Sequence, residues 1–199
     1  GGKSLNYNQG LYSNLQYFGA LPRYKHTLAD LKLTLKSRYI QWRRMMIENG
    51  FSPNGIAKQT NALKFGWNPV IINKLGTLEQ RGMDTNHPKY IIGISMLLKL
   101  VFKEVQRNFL HVISSDIGIN EPFKREGNIL HIPPYSYLKN KLQMHAAYEG
   151  LENAEVVNLC RKFLSFARSC TKKEYEPVLK PIFDLFSQRA TVSDKIIKR

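Results

Sequence analysis

An all-α, compact multi-helix domain is the fold this sequence predicts, on three observations. Apolar residues recur at three- and four-residue steps through residues 28–48 and again from Ile91 to Val112, the spacing that lines one face of a helix. Ser52-Pro53 and Asn68-Pro69 each set a capping side chain before a proline, and His87-Pro88 opens a further helix in the same way. A composition of 43% apolar and 11% aromatic residues supplies a packed core and excludes disorder or low complexity as the overall class.

Residues 1–24 carry Leu5, Tyr7, Leu11, Tyr12, Leu15, Tyr17, Phe18 and Leu21 among Asn, Gln and Gly, without a sustained period. Such a stretch is expected to be an arm that lies on its own core or on a neighbouring subunit. Thr27 and Asp30 give a capping signal, a clear helical period follows, and Asn49-Gly50 stops it. Short helices are expected near 53–64 and 69–81, the second closed by Gly82. A long helix should run from His87 to about residue 113, with Ile91, Ile94, Leu98, Val101, Val105, Phe109 and Val112 at three- and four-residue steps.

Residues 114–134, with Gly118, Pro122, Gly127 and Pro133-Pro134, predict a loop or linker that contains one short extended piece at 128–132. Helices near 135–148, 153–170 and 172–189 follow, the last bent or broken by Pro177 and Pro181. Residues 190–199 end in Lys195, Lys198 and Arg199 and predict a short basic tail. The expected organisation is an N-terminal helical lobe over 25–113 and a C-terminal lobe over 135–189, set around a basic groove.

Charge points to the partner. Thirty Lys and Arg against 15 Asp and Glu give a formal net charge of +15, an excess that repels itself in the compact state unless an anion screens it. Nucleic acid is the first such partner and an anionic membrane surface the second. The excess is concentrated early, since residues 1–78 hold 11 Lys and Arg against Asp30 and Glu48 alone.

On a helical wheel, Leu28, Leu31, Leu35, Tyr39, Trp42 and Met46 fall within a sector about 80° wide, a core-facing stripe. Lys32, Lys36 and Arg43, with Lys25 if the helix reaches back to it, fall in a band about 40° wide. A second apolar row, Leu33, Ile40 and Ile47, borders that band, while Asp30, Thr34, Ser37, Gln41 and Glu48 collect on the opposite side. Cations between apolar rows suit a single strand whose phosphates meet Lys and Arg and whose bases stack on Tyr39 or Trp42. Further basic rows lie at Lys99, Lys103 and Arg107, at Arg161, Arg168 and Lys172, and in the middle loop at Lys124 and Arg125.

Ile56-Ala57-Lys58, followed by Val70-Ile71-Ile72-Asn73-Lys74-Leu75-Gly76-Thr77-Leu78-Glu79-Gln80-Arg81-Gly82-Met83, resembles the helix-turn-helix segment of winged-helix DNA-binding proteins over about 28 residues. The resemblance implies a DNA-binding regulator whose second helix spans the latter run. It departs from the pattern in a turn about four residues too long, and in Val70 and Ile72 at positions where polar base-reading residues belong.

No HExxH, GxxxxGK[ST] or GxSxG motif occurs, and the five histidines are scattered, so no catalysis, metal or cofactor is expected. Cys160 and Cys170 form no CxxC pair and suit a reducing compartment. The most apolar run, Tyr90 to Phe102, is well short of the roughly 20 residues that span a bilayer. An N-terminal glycine is open to acylation, although Leu5 holds the position that favours Ser or Thr. The expected protein is therefore intracellular or within a virion, neither secreted nor transmembrane. It coats or packages single-stranded RNA, or less readily DNA, as a nucleocapsid-type homo-oligomer joined through its terminal arms. A basic matrix protein on anionic membranes is the second expectation.

Overall fold

The computed structural model describes residues 23–59, 61–62, 70–73, 75–80 and 86–197. The chain is predominantly helical but not all-α, because a two-stranded hairpin and a three-stranded sheet stand among the helices. Contacts divide it into two units, one running up to residue 84 and the other onward from residue 85. The boundary thus falls before the long helix that follows His87, rather than within residues 114–134. Most of the expected arm, residues 1–22, lies outside the described residues.

In the first unit, helix α1 spans Leu28–Glu48, and Thr27 caps it by accepting the Asp30 N–H at 3.0 Å. Lys25 precedes the cap and is not part of the helix. Asn49 and Gly50, the latter at φ 88°, end α1 where the sequence expects an end. Helix α2, Pro53–Gln59, opens with the Ser52 hydroxyl accepting the Gly55 N–H at 3.0 Å.

The helix expected over 69–81 does not form. Strands β1, Val70–Ile72, and β2, Leu78–Gln80, pair antiparallel with Val70 opposite Gln80 and Ile72 opposite Leu78. Three consecutive β-branched residues favour a pleated strand over a helix. Asn73 then folds the turn, its side-chain oxygen accepting N–H groups of Leu75 at 2.9 Å and Thr77 at 3.2 Å, with Gly76 at φ 78°. A hairpin here removes the second helix on which the helix-turn-helix resemblance depends.

In the second unit, α3 (Pro88–Arg107) is followed by β3 (His111–Ser114), α4 (Ile117–Asn120), β4 (Arg125–Glu126) and β5 (Ile129–Ile132). Strand β5 lies between β3, parallel to it, and β4, antiparallel. Residues 114–134 are therefore folded structure rather than a linker, and the extended piece expected at 128–132 is the central strand. Helix α5 (Tyr135–Tyr137), a π-helical segment (Leu138–Leu142) and α6 (Gln143–Tyr148) form one continuous rod. Helices α7 (Ala154–Ser169) and α8 (Glu176–Ser187) follow, with Pro177 in the first turn of α8 and Pro181 inside it. The expected basic tail contains a short helix, α9 (Val192–Ile197), started by reciprocal bonds between Thr191 and Asp194.

Helix α3 ends six residues short of the expected point and presents a different face. Tyr90, Gly93, Leu97, Leu100 and Val101 are buried, whereas Ile91, Phe109 and Val112 of the expected periodic row are exposed. Gly93 lets α8 approach closely, since a Cβ there would lie 2.8 Å from Ile182 and 3.2 Å from the Val178 carbonyl oxygen. Leu97, Leu100, Leu130, Leu164, Ala167 and Leu179 form the core between these helices and the sheet.

Candidate nucleic-acid interface

Helix α1 is 21 residues long and buries none of them completely. Its half-buried arc holds Leu31, Leu35, Tyr39, Trp42 and Met46, which is the expected core stripe apart from exposed Leu28. Lys32, Lys36 and Arg43 are all exposed, as the wheel requires. The second apolar row is exposed as well, Leu33 at 69% and Ile40 at 57%. The cations therefore do not line a groove with two closed walls; they border the half-buried stripe on one side and a solvent-facing apolar row on the other. Tyr39 and Trp42 stack on each other, with ring centroids 6.0 Å apart and planes at 22°.

Lys99, Lys103 and Arg107 lie on the exposed side of α3. Glu104, the only carboxylate of that helix, turns to Arg125 at 3.0 Å and leaves the lysine row. Sequence reasoning missed two exposed aromatics, Phe102 on this side of α3 and Phe109 just past its end. Phe102 is 56% exposed and Phe109 83% exposed, and the three- and four-residue step had placed Phe109 inside the helix.

The structure gives other expected contacts different occupations. Lys124 bonds Glu121 at 2.8 Å and Glu126 at 3.2 Å and holds both carboxyls below their usual value. Arg125 is committed to Glu104 and to the Gly127 carbonyl. Arg161 donates to Asn158 at 3.0 Å, and Arg168 lies 5.6 Å over the Phe183 ring, at a cleft that also holds Glu176 and Asp184. Lys124, Arg125 and Arg168 thus sit among carboxylates and Arg161 bonds a neutral amide, whereas Lys32, Lys36 and Arg43 of α1 and Lys99 and Lys103 of α3 make no ion pair with a described residue.

One polar chain had no sequence signal. Ser115 bonds Nδ1 of buried His131 at 2.8 Å, and His131 Nε2 lies 3.4 Å from Glu126 without a geometrically sound bond. Ser115 also accepts the Gly118 N–H at 3.4 Å, so its oxygen serves the start of α4. The clefts at Arg168 and Asp184, at Pro122 and Ser169, and at Gly150 and Thr191 are lined by other residues. The chain is a strut that ties α4 to β5.

Cys160 and Cys170 are free, and burial raises both thiols above their ordinary values. Among the described residues, no group of three or more His, Cys, Asp or Glu could hold a metal ion, and no helix is long and apolar enough to cross a membrane. The chain matches no protein-family model, and comparison with curated proteins and with solved structures finds no match.

Proposed function

We propose that this chain binds single-stranded nucleic acid, RNA ahead of DNA, without catalysis and with little sequence specificity, several copies coating the polymer. The observation that carries the reading is the outward face of α1, where Lys32, Lys36 and Arg43 run beside exposed Leu33, Ile40 and Ile47. A polynucleotide offers both complements at once, phosphate for the cations and base faces for the apolar row. The net charge of +15 supplies the long-range attraction.

A salt titration of binding to unrelated single-stranded oligonucleotides tests it. The wild type should bind all sequences alike, with log affinity falling linearly against log salt. Lys36→Glu with Arg43→Glu should weaken binding at least tenfold and flatten the salt slope by roughly 1.4, as expected for two lost single-strand phosphate contacts. An unchanged slope would remove α1 from the interface. The same α1 face also suits an anionic lipid surface, so failure to bind oligonucleotides at low salt, with pelleting on acidic vesicles, would transfer the function to membranes.

A further inference from the structure

Resting on that nucleic-acid reading, we infer that α3 carries a base-stacking platform in which Phe102 and Phe109 take two bases of a single strand and Lys99 and Lys103 take the neighbouring phosphates. Ser95, Lys99, Phe102 and Gln106 follow one another at three- and four-residue steps along the solvent face of α3, and Lys103 borders them. Phe109 stands just past the end of the helix. Seven positions separate the two phenylalanines and no ring contact joins them, so each takes its own base rather than closing on a shared one.

Phe109 carries the strongest sign of a use outside folding. Its backbone is left-handed at φ 48°, the state that ends α3 by directing the Leu110 N–H to the Val105 carbonyl at 3.0 Å. Glycine or asparagine adopts that state with less strain than a bulky residue. Phe123 has the same kind of backbone, φ 64°, but its ring packs 5.0 Å from Phe163 and 6.4 Å from Phe166. Packing offsets the strain at Phe123. At Phe109 the ring is 83% exposed and offsets almost nothing.

The surroundings choose the ligand. Lys99 and Lys103 are exposed and make no ion pair with a described residue, while Glu104 is drawn away by Arg125. Ser95, Lys99 and Gln106 interrupt the apolar residues, so α3 lacks the continuous apolar face that an interfacial helix sinks into lipid. Isolated aromatic faces next to cations match unpaired bases on a phosphate chain. Paired bases in a duplex cannot stack on them, which gives the platform a preference for single strands.

The test measures binding of the full chain to a labelled single-stranded homopolymer oligonucleotide, and to a duplex of equal length, by fluorescence anisotropy. Phe102→Ala and Phe109→Gly should each weaken single-strand binding about tenfold, leave the salt slope unchanged and leave duplex binding unchanged. Phe102→Trp should keep wild-type affinity. Phe109→Gly should raise the thermal midpoint while it weakens binding, a combination that loss of folding cannot imitate. Wild-type single-strand affinity in the double variant, with the wild type itself binding, would overturn the platform and leave the coating reading standing. Absence of wild-type binding at low salt would overturn both.

Discussion

Gly118 sits where α4 comes down on the end of β5, and a Cβ there would lie 2.2 Å from the carbonyl carbon and oxygen of Ile132. Neither atom can move without displacing the strand that carries His131 and Leu130. Gly118→Ala should therefore cost roughly 3 kcal/mol of stability or more, and urea denaturation monitored by circular dichroism measures it. A midpoint within error of the wild type would mean that the backbone at Ile132 yields freely. Nothing in the sequence separates Gly118 from the other glycines of the middle segment, because the demand comes from a carbonyl 14 positions away. The same limit hid the strut between Ser115 and His131, which are 16 residues apart. Phe109 was hidden for the opposite reason: its position fits the helical step well, and only the missing helical turn after Arg107 places its ring in solvent.

At the scale of elements, starts were legible because they are local chemistry. Thr27, Ser52, His87 and Asn153 each accept a backbone N–H from the first turn of the helix they precede. Stops were legible where glycine made them, as at Gly50, and illegible where a phenylalanine took the left-handed position after α3. The hairpin at Val70–Gln80 had its own signal in three β-branched residues followed by Asn73 and Gly76, outweighed by a proline that suited a helix start. The amphipathic pattern of α1 was legible as well, since of the two apolar rows on its wheel the one with Leu31, Leu35, Tyr39, Trp42 and Met46 was expected to face the core. The structure half-buries the Leu35 and Trp42 row and leaves the other exposed. Replacing Leu33 and Ile40 together by Gln should then change folding stability by no more than about 0.5 kcal/mol, as read from the thermal midpoint. A drop of several degrees would show that this row is packed in solution.

For the whole molecule, charge pairing divides the described ionised residues into two groups. The described carboxylates Glu48, Glu104, Glu121, Glu126, Glu155 and Asp184 are bonded to Lys or Arg, whereas Lys32, Lys36 and Arg43 of α1 and Lys99 and Lys103 of α3 make no ion pair with a described residue. Lys124 holds Glu121 and Glu126 below the ordinary value of 4.5, and Asn153 and His145 do the same for Glu149. A carboxyl lowered in the folded state contributes stability that is present above its ordinary value and is lost as pH falls through the lowered one. Acidification also raises a net charge that is already +15, and this repulsion acts over about 10 Å at moderate salt and farther at low salt. Both effects lower stability on the acid side, but only the long-range repulsion is relieved by screening. The thermal midpoint should fall between about pH 5 and pH 3, more steeply at low salt than at high salt. At neutral pH and low salt, a single-stranded oligonucleotide should raise it, because a ligand that binds only the folded state stabilises that state. A midpoint that stays level through the acid range would show that these carboxyl bonds do not hold the fold. A midpoint unmoved by the oligonucleotide would show that the excess charge is not screened by nucleic acid.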